Sequence, residues 1–237
     1  YQYNNGKLWN TLTYVLSSPG AGKTTLLRLF SPSVLQKITK DNDATYKKLS
    51  KMGVKEHGKI SKCGVYLQMG RDYEFLEDDE LFEASEQKRV FLSLLNSRIV
   101  LATLKTVMAL AKIKYTSLAD ITYSPDEPIL EFGAIKESYS GKDLLDWAAT
   151  QERIVCEFLD NYEIPTGGIK GANSLFALKA MRASWFTYKG KRLCDDFIFQ
   201  FDDGHKLSSI QKSIIRNEVA EKRLKAIREF SELGSGV

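Results

Sequence analysis

A glycine-rich stretch near the start of the chain constrains the fold more than any other feature. Residues 17–25 read SSPGAGKTT and follow the spacing G-x-x-x-x-G-K-T, except that Ser17 stands where the first glycine would be. Gly20 and Gly22 allow the backbone to turn sharply and to approach phosphate oxygens closely. Successive N–H groups in such a turn point into one concavity that favours an anion. The residues of the predicted phosphate-binding loop are Pro19, Gly20, Ala21, Gly22, Lys23, Thr24 and Thr25.

Two side chains of this loop have specific expected roles. At this spacing Lys23 is expected to reach the β- and γ-phosphates of a nucleoside triphosphate and to act as a catalytic cation. The Thr24 hydroxyl is expected to ligate Mg²⁺. The context agrees, because residues 12–16 (LTYVL) are typical of a short buried strand and residues 26–30 continue as an apolar helix. The alternative is a Gly-Pro turn that happens to precede Lys-Thr.

A second polar site is predicted near the other end of the chain. Residues 197–201 (FIFQF) are typical of a strand, and Asp202 and Asp203 follow at its carboxyl end, where ligands bind in an open α/β sheet. We expect Asp202 to hold Mg²⁺ and Asp203 to orient or activate the attacking water, as a catalytic residue. Gln200 interrupts the apolar run, and its amide would need partners if buried. The alternative is an Asp-Asp-Gly turn at a strand end.

The chain between these two sites is mostly helical in pattern. Apolar spacing predicts helices over about 78–114 and 140–162, which we interpret as a helical insertion or lid over 78–162. The predicted nucleotide-binding core then comprises 1–77 and 163–237. The other predicted elements are an irregular helix over 33–52, a strand over 59–69, a loop-rich segment over 116–135, a helix over 175–185, a strand over 193–201 and a helix over 208–223.

Composition favours a globular protein of a reducing compartment. The 237 residues are 43% hydrophobic and 27% charged, and the net charge of +4 is weak evidence for a polyanionic partner. The three cysteines are far apart and odd in number, which favours the cytoplasm over a disulfide framework. They also form no zinc-ligand spacing with the two histidines. The missing initial Met and the Gly-Ser-Gly-Val end predict a fragment of a longer protein.

The one stretch long enough to raise the question of a membrane span covers residues 90–111. Asn96, Arg98 and Lys105 lie near its middle, where polar side chains are costly in lipid. The sequence therefore favours a buried helix and no membrane association.

The two motifs together resemble those of P-loop ATPases. Residues 17–24 resemble the GPPGxGKT form of the Walker A loop in AAA+ ATPases, and residues 199–208 (FQFDDGHKLS) resemble a Walker B segment with a double acid. The combination is similar to the origin-recognition-like and STAND branches of the AAA+ proteins, including bacterial relatives associated with defence systems. The resemblance implies an α/β fold, the three-layer αβα sheet of P-loop NTPases, with a mostly helical insertion between Walker A and Walker B.

The same resemblance implies an activity and partners. ATP and Mg²⁺ would be the cofactors, and ATP hydrolysis would drive a change of conformation or of oligomeric state, in a homo-oligomer or with a partner protein. Asp203 stands where many active AAA+ ATPases have Glu and is one methylene shorter, so slow hydrolysis is expected. A nucleotide-binding scaffold without turnover stays open. Arg182 and Arg192 are candidate arginine fingers.

Other functions fit the residues less well. An ABC- or SMC-type ATPase head would also use residues 20–27, with Gln68 imitating its Q-loop, but residues 140–142 (SGK) are a poor match to its LSGGQ signature. A GTPase would need an Asn-Lys-x-Asp motif that residues 39–42 do not supply. Nucleic-acid binding rests only on basic clusters at 189–192 and 222–225, which are more often a solvated face.

Overall fold

The structure, a computed structural model, describes residues 22–39, 43–69, 73, 84–133, 135–161, 173–202 and 206–219. The helices are α1 (Lys23–Arg28), α2 (Pro32–Leu35), α3 (Ala44–Lys51), α4 (Ala84–Ala111), α5 (Gly141–Asn161), α6 (Ala177–Ala180) and α7 (209–219). The strands are β1 (Lys55–Glu56), β2 (Lys59–Ile60), β3 (Lys62–Gln68), β4 (Ile121–Tyr123), β5 (Tyr139–Ser140), β6 (Phe186–Tyr188), β7 (Lys191–Arg192) and β8 (Asp196–Asp202). The described part is therefore mixed α/β, as predicted.

The strands β3 and β8 form a parallel pair that joins the two predicted halves of the core. Their register runs from Lys62 opposite Asp196 to Gln68 opposite Asp202. Alternate residues of a strand face opposite sides of the sheet. One side is apolar and packs with α4 in the main hydrophobic core; it carries Val65, Leu67, Phe199 and Phe201. The strands predicted over 59–69 and 193–201 thus exist, within a few residues of the predicted bounds.

The other side of this strand pair carries Ile198 and several polar residues. Gly64, Tyr66 and Gln68 alternate along β3, and Gln200 and Asp202 lie beside them on β8. The helix α1 lies against both strands on this side. Gln200, which interrupts the apolar run of β8, therefore faces the α1 side rather than the main core. Because side chains alternate between the two sides of a strand, a polar residue at position 200 falls on the same side as Asp202.

Gly64 sets how closely α1 approaches the strand pair. Its N–H donates to the carbonyl of Phe30, just after α1, at 2.8 Å. A Cβ added at Gly64 would lie 2.6 Å from Oε1 of Gln200 and 3.0 Å from Cβ of Phe30. The end of the Gln200 side chain can move aside, but the Cβ of Phe30 cannot move without its backbone. Only glycine therefore permits this approach without a shift of the chain.

We expect Gly64→Ala to lower the free energy of unfolding by about 1–3 kcal/mol, the usual cost of overpacking a tight site. Chemical denaturation of the two proteins measures the difference. The double variant Gly64→Ala/Gln200→Ala separates the two clashes, because it removes the 2.6 Å contact and leaves the one with Phe30. A Gly64→Ala protein as stable as the wild type would contradict the packing of α1 described above.

The long helix α4 is the centre of the main core. It is the one helix among the described residues that is long and apolar enough to cross a membrane, but 78% of its apolar window is buried inside the fold. Two polar residues near its middle have partners. The Asn96 amide donates to the carbonyl of Ser174 at 2.7 Å, and its oxygen accepts from the N–H of Ala177 at 3.0 Å. Arg98 pairs with Glu152 of α5 at 3.0 Å.

An antiparallel sheet in the order β5-β4-β6-β7 forms a second layer that the sequence pattern did not indicate. The helix predicted over 175–185 is only partly formed, since α6 has four residues and the chain leaves the helical conformation at Met181 and Arg182. The sheet joins strands from 121–140 to strands from 186–192. The domain boundaries at 78 and 162 stay a prediction.

An aromatic cluster holds this second sheet in place. The Tyr123 ring lies 4.9–6.1 Å, between centroids, from its four aromatic neighbours, and its hydroxyl donates to the carbonyl of Ala180 at 2.8 Å. Those neighbours are Phe132, Tyr139, Trp185 and Phe186. Edge-on and tilted aromatic contacts of this kind stabilise a core beyond the area that they bury.

Candidate nucleotide and metal site

The helix α1 begins at the last glycine of the predicted loop. Gly22 has φ 80° and ψ 19°, in the left-handed region that glycine adopts without strain, and its carbonyl accepts from the N–H of Leu26 at 2.9 Å. A Cβ at Gly22 would meet no atom within 4 Å, so conformation rather than space requires glycine here. Pro19, Gly20 and Ala21, like the strand predicted over 12–16, lie outside the described residues.

The structure brings together the two side chains that were predicted to hold Mg²⁺. The Thr24 hydroxyl, in the first turn of α1, donates to Oδ2 of Asp202 at 2.8 Å, although the residues are 178 positions apart. Asp202 is the last residue of β8 and is only 8% exposed. Buried carboxylates require partners for their charge. The contact therefore gives Asp202 one partner from the predicted phosphate-binding segment.

A second hydroxyl reaches the same oxygen of Asp202. Tyr66, on the α1 side of β3, donates its phenol O–H to Oδ2 of Asp202 at 2.6 Å, and the guanidinium of Arg28 lies 6.0 Å from the centroid of its ring. Sequence reasoning missed Tyr66. The alternation Gly64, Tyr66, Gln68 along β3 marks a polar side of the strand, but only the pairing with β8 shows that the phenol reaches Asp202.

The other predicted site residues are placed as follows. Lys23 is half-buried at the start of α1, and Thr25 is exposed and does not join the Thr24–Asp202 contact described above. Gln68 is exposed at the carboxyl end of β3, directly opposite Asp202. Asp203, the predicted catalytic carboxylate, lies outside the described residues.

The donor set at Asp202 fits magnesium better than a softer metal. Among the described residues there is no group of three or more His, Cys, Asp and Glu side chains able to hold a metal ion. Mg²⁺ needs no such cage, because it keeps several waters and is bound by one or two carboxylates together with substrate phosphates. A threonine hydroxyl beside one buried carboxylate matches this requirement, and Thr24 and Asp202 are the residues that would hold the ion.

The two buried cysteines near this strand pair are not suited to chemistry as thiolates. Burial raises the pKa of the Cys63 thiol to about 12, and burial likewise raises the pKa of Cys194. The thiolate is the nucleophilic and metal-binding form of cysteine. Both residues therefore act as small apolar side chains of the core near neutral pH.

The two candidate arginine fingers lie in the region of the antiparallel sheet. Arg182 lies over the ring of Trp185, 5.0 Å from its centroid, and Arg192 lies 3.8 Å from Asp195 in an exposed ion pair. These local contacts are typical of surface arginines. The role of either residue as an arginine finger stays a prediction.

Comparisons of the chain with protein-family models, with curated proteins and with solved structures found no match. A functional assignment therefore depends on the two motifs and on the geometry around Asp202.

Proposed function

We propose that this chain binds ATP with Mg²⁺ and hydrolyses the ATP slowly, as a switch of conformation or of oligomeric state. The observation that carries the proposal is the 2.8 Å hydrogen bond from Thr24 to Asp202. Two sequence motifs, both predicted to hold Mg²⁺, meet at one buried carboxylate. A common metal site accounts for the meeting of two motifs that lie 178 positions apart in the chain.

The described residues support a division of roles in this proposal. Lys23 stands at the start of α1, beside the proposed phosphates, and supplies a positive charge. Thr24, on α1, and Asp202, on β8, would hold the metal ion. When bound, Mg²⁺ neutralises negative charge on the β- and γ-phosphate oxygens. Asp203 follows Asp202 directly and is assigned to orient the attacking water.

The architecture proposed for the whole nucleotide-binding unit is the three-layer P-loop sheet of the AAA+/STAND grouping. Two features favour it: the parallel pairing of β3 with β8, and the position of Asp202 at the carboxyl end of its strand. Ligands of open α/β sheets bind at that end. A cytoplasmic location and a homo-oligomer or a partner protein belong to the same proposal.

Calorimetric titration of the wild-type chain with ATP and with GTP, each with Mg²⁺ and with EDTA, tests this function. We expect ATP to bind more tightly with Mg²⁺ than with EDTA, because the metal links the phosphates to Thr24 and Asp202. Phosphate release measured on the same samples separates a slow ATPase from a scaffold without turnover. Absence of ATP binding under both conditions would overturn the proposal.

A further inference from the structure

We propose that Tyr66 is a positioning residue that orients the carboxylate of Asp202 toward the metal ion. The inference rests on the proposed function, since it assigns a role within the same site. Tyr66 belongs to neither motif and lies on β3, which precedes β8 by more than a hundred residues. Its 2.6 Å hydrogen bond to Oδ2 of Asp202 is shorter than the 2.8 Å bond from Thr24 to the same atom.

The two hydroxyls hold one oxygen of the carboxylate from two different elements. Thr24 approaches from α1 and Tyr66 from β3, and both donate to Oδ2. Hydrogen bonds from a hydroxyl to an ionised carboxylate are short and about twice as strong as neutral ones. Because Asp202 is buried, water competes little for these bonds. Together they fix the direction in which the carboxylate faces.

The two donors differ in what a metal ion would do to them. The oxygen of Thr24 would itself be a metal ligand through a lone pair, while its O–H donates to Asp202. Tyr66 is assigned no contact with the ion, and the register of β3 on β8 keeps it two residues along the strand from the Gln68–Asp202 pair, on the same side of the sheet. The phenol therefore orients Asp202 without being a metal ligand itself. Partners that orient a metal-binding carboxylate commonly change metal affinity by about 10- to 100-fold when removed.

Tyr66 is held in place by its surroundings. Its backbone belongs to the centre of the parallel pair, opposite Gln200, and the Arg28 guanidinium lies 6.0 Å from its ring centroid. The strand backbone fixes where the side chain begins, and the hydrogen bond to Asp202 fixes where its hydroxyl lies. The same contact connects α1 to β3 a little more than one helical turn after Thr24.

The test is Tyr66→Phe, which keeps the ring and removes only the hydroxyl. ATP affinity is measured in EDTA, and Mg²⁺ is then titrated at fixed ATP with turnover or binding heat as the signal. We expect the Mg²⁺ concentration that gives half of the maximal signal to rise about tenfold or more. The ATP affinity in EDTA should change less than about twofold. A merely structural role would lower both affinities together or neither.

Tyr123→Phe is the matched control, because it also removes one buried phenol hydrogen bond, to the carbonyl of Ala180, away from the site. We expect this control to lower the melting temperature without changing the Mg²⁺ dependence. If the wild type binds ATP but Tyr66→Phe needs no more Mg²⁺ than the wild type for half of the maximal signal, the role of Tyr66 is overturned and the proposed function is not. A wild-type chain that binds no ATP would overturn the proposed function, and the role of Tyr66 with it.

Discussion

Replacing Lys23 with alanine is expected to weaken ATP binding by about 10- to 100-fold, the range that one lost hydrogen bond to a charged group implies. Lys23 opens α1 and is half-buried beside the Thr24–Asp202 contact. An ammonium in this position gains its energy from the negative charge of the β- and γ-phosphates. The loss should appear with Mg²⁺ and with EDTA alike, because Lys23 is proposed to contact phosphate and not the metal ion. Calorimetric titration with ATP measures it.

The control for this substitution is Lys47→Ala. Lys47 is an exposed lysine of α3, so the variant loses the same charge without touching the site. Equal ATP affinity in the wild type and the Lys23→Ala variant would contradict the assignment of the glycine-rich stretch to phosphate binding. Equal losses in the two variants would mean that net charge, and not this lysine, governs the binding.

Replacing Asp202 with alanine is expected to lower ATP turnover by about 100-fold or more. The substitution removes the carboxylate that accepts from Thr24, and with it a proposed ligand of the ion that would neutralise charge on the transferred phosphate. ATP affinity in EDTA should stay within a few-fold of the wild type, because Asp202 is assigned no direct contact with the phosphates. Phosphate release at saturating ATP, measured over a range of Mg²⁺ concentrations, gives the result.

Asp196→Ala provides a control on the same strand. Asp196 begins β8 at the opposite end from Asp202, and its exposed side chain pairs with Lys62 at 2.8 Å. Exposed ion pairs contribute little to stability, so this variant should fold and turn over like the wild type. If Asp202→Ala retained full Mg²⁺-dependent turnover, the carboxylate would have no role in metal binding and the proposed site would be wrong.

The sequence predicted the parts of the site that depend on local chemistry. The glycine at position 22, the hydroxyl at Thr24 and the carboxylate at Asp202 are recognisable because phosphate and magnesium require those groups at those spacings. The strand ending at Asp202 was predictable from its aromatic and β-branched residues. Gln200 looked like a departure, but its position on the α1 side of the pair is what a two-residue period dictates.

The parts that were missed depend on which strands pair. Tyr66 reaches Asp202 only because β3 runs parallel to β8 in one particular register, and a single sequence carries no direct record of that register. The strands of the antiparallel sheet are two or three residues long, too short to show a period of their own. Contacts among aromatic residues far apart in the chain, with Tyr123 at their centre, select that structure over the predicted helix.

A crystal structure of the chain with Mg²⁺ and a non-hydrolysable ATP analogue tests the central claim most directly. We expect a metal ion about 2.1 Å from the hydroxyl oxygen of Thr24, with the Asp202 carboxylate bound to it directly or through a water. The nucleotide phosphates should lie against the start of α1. A nucleotide bound elsewhere, or a metal ion that contacts neither Thr24 nor Asp202, would contradict it.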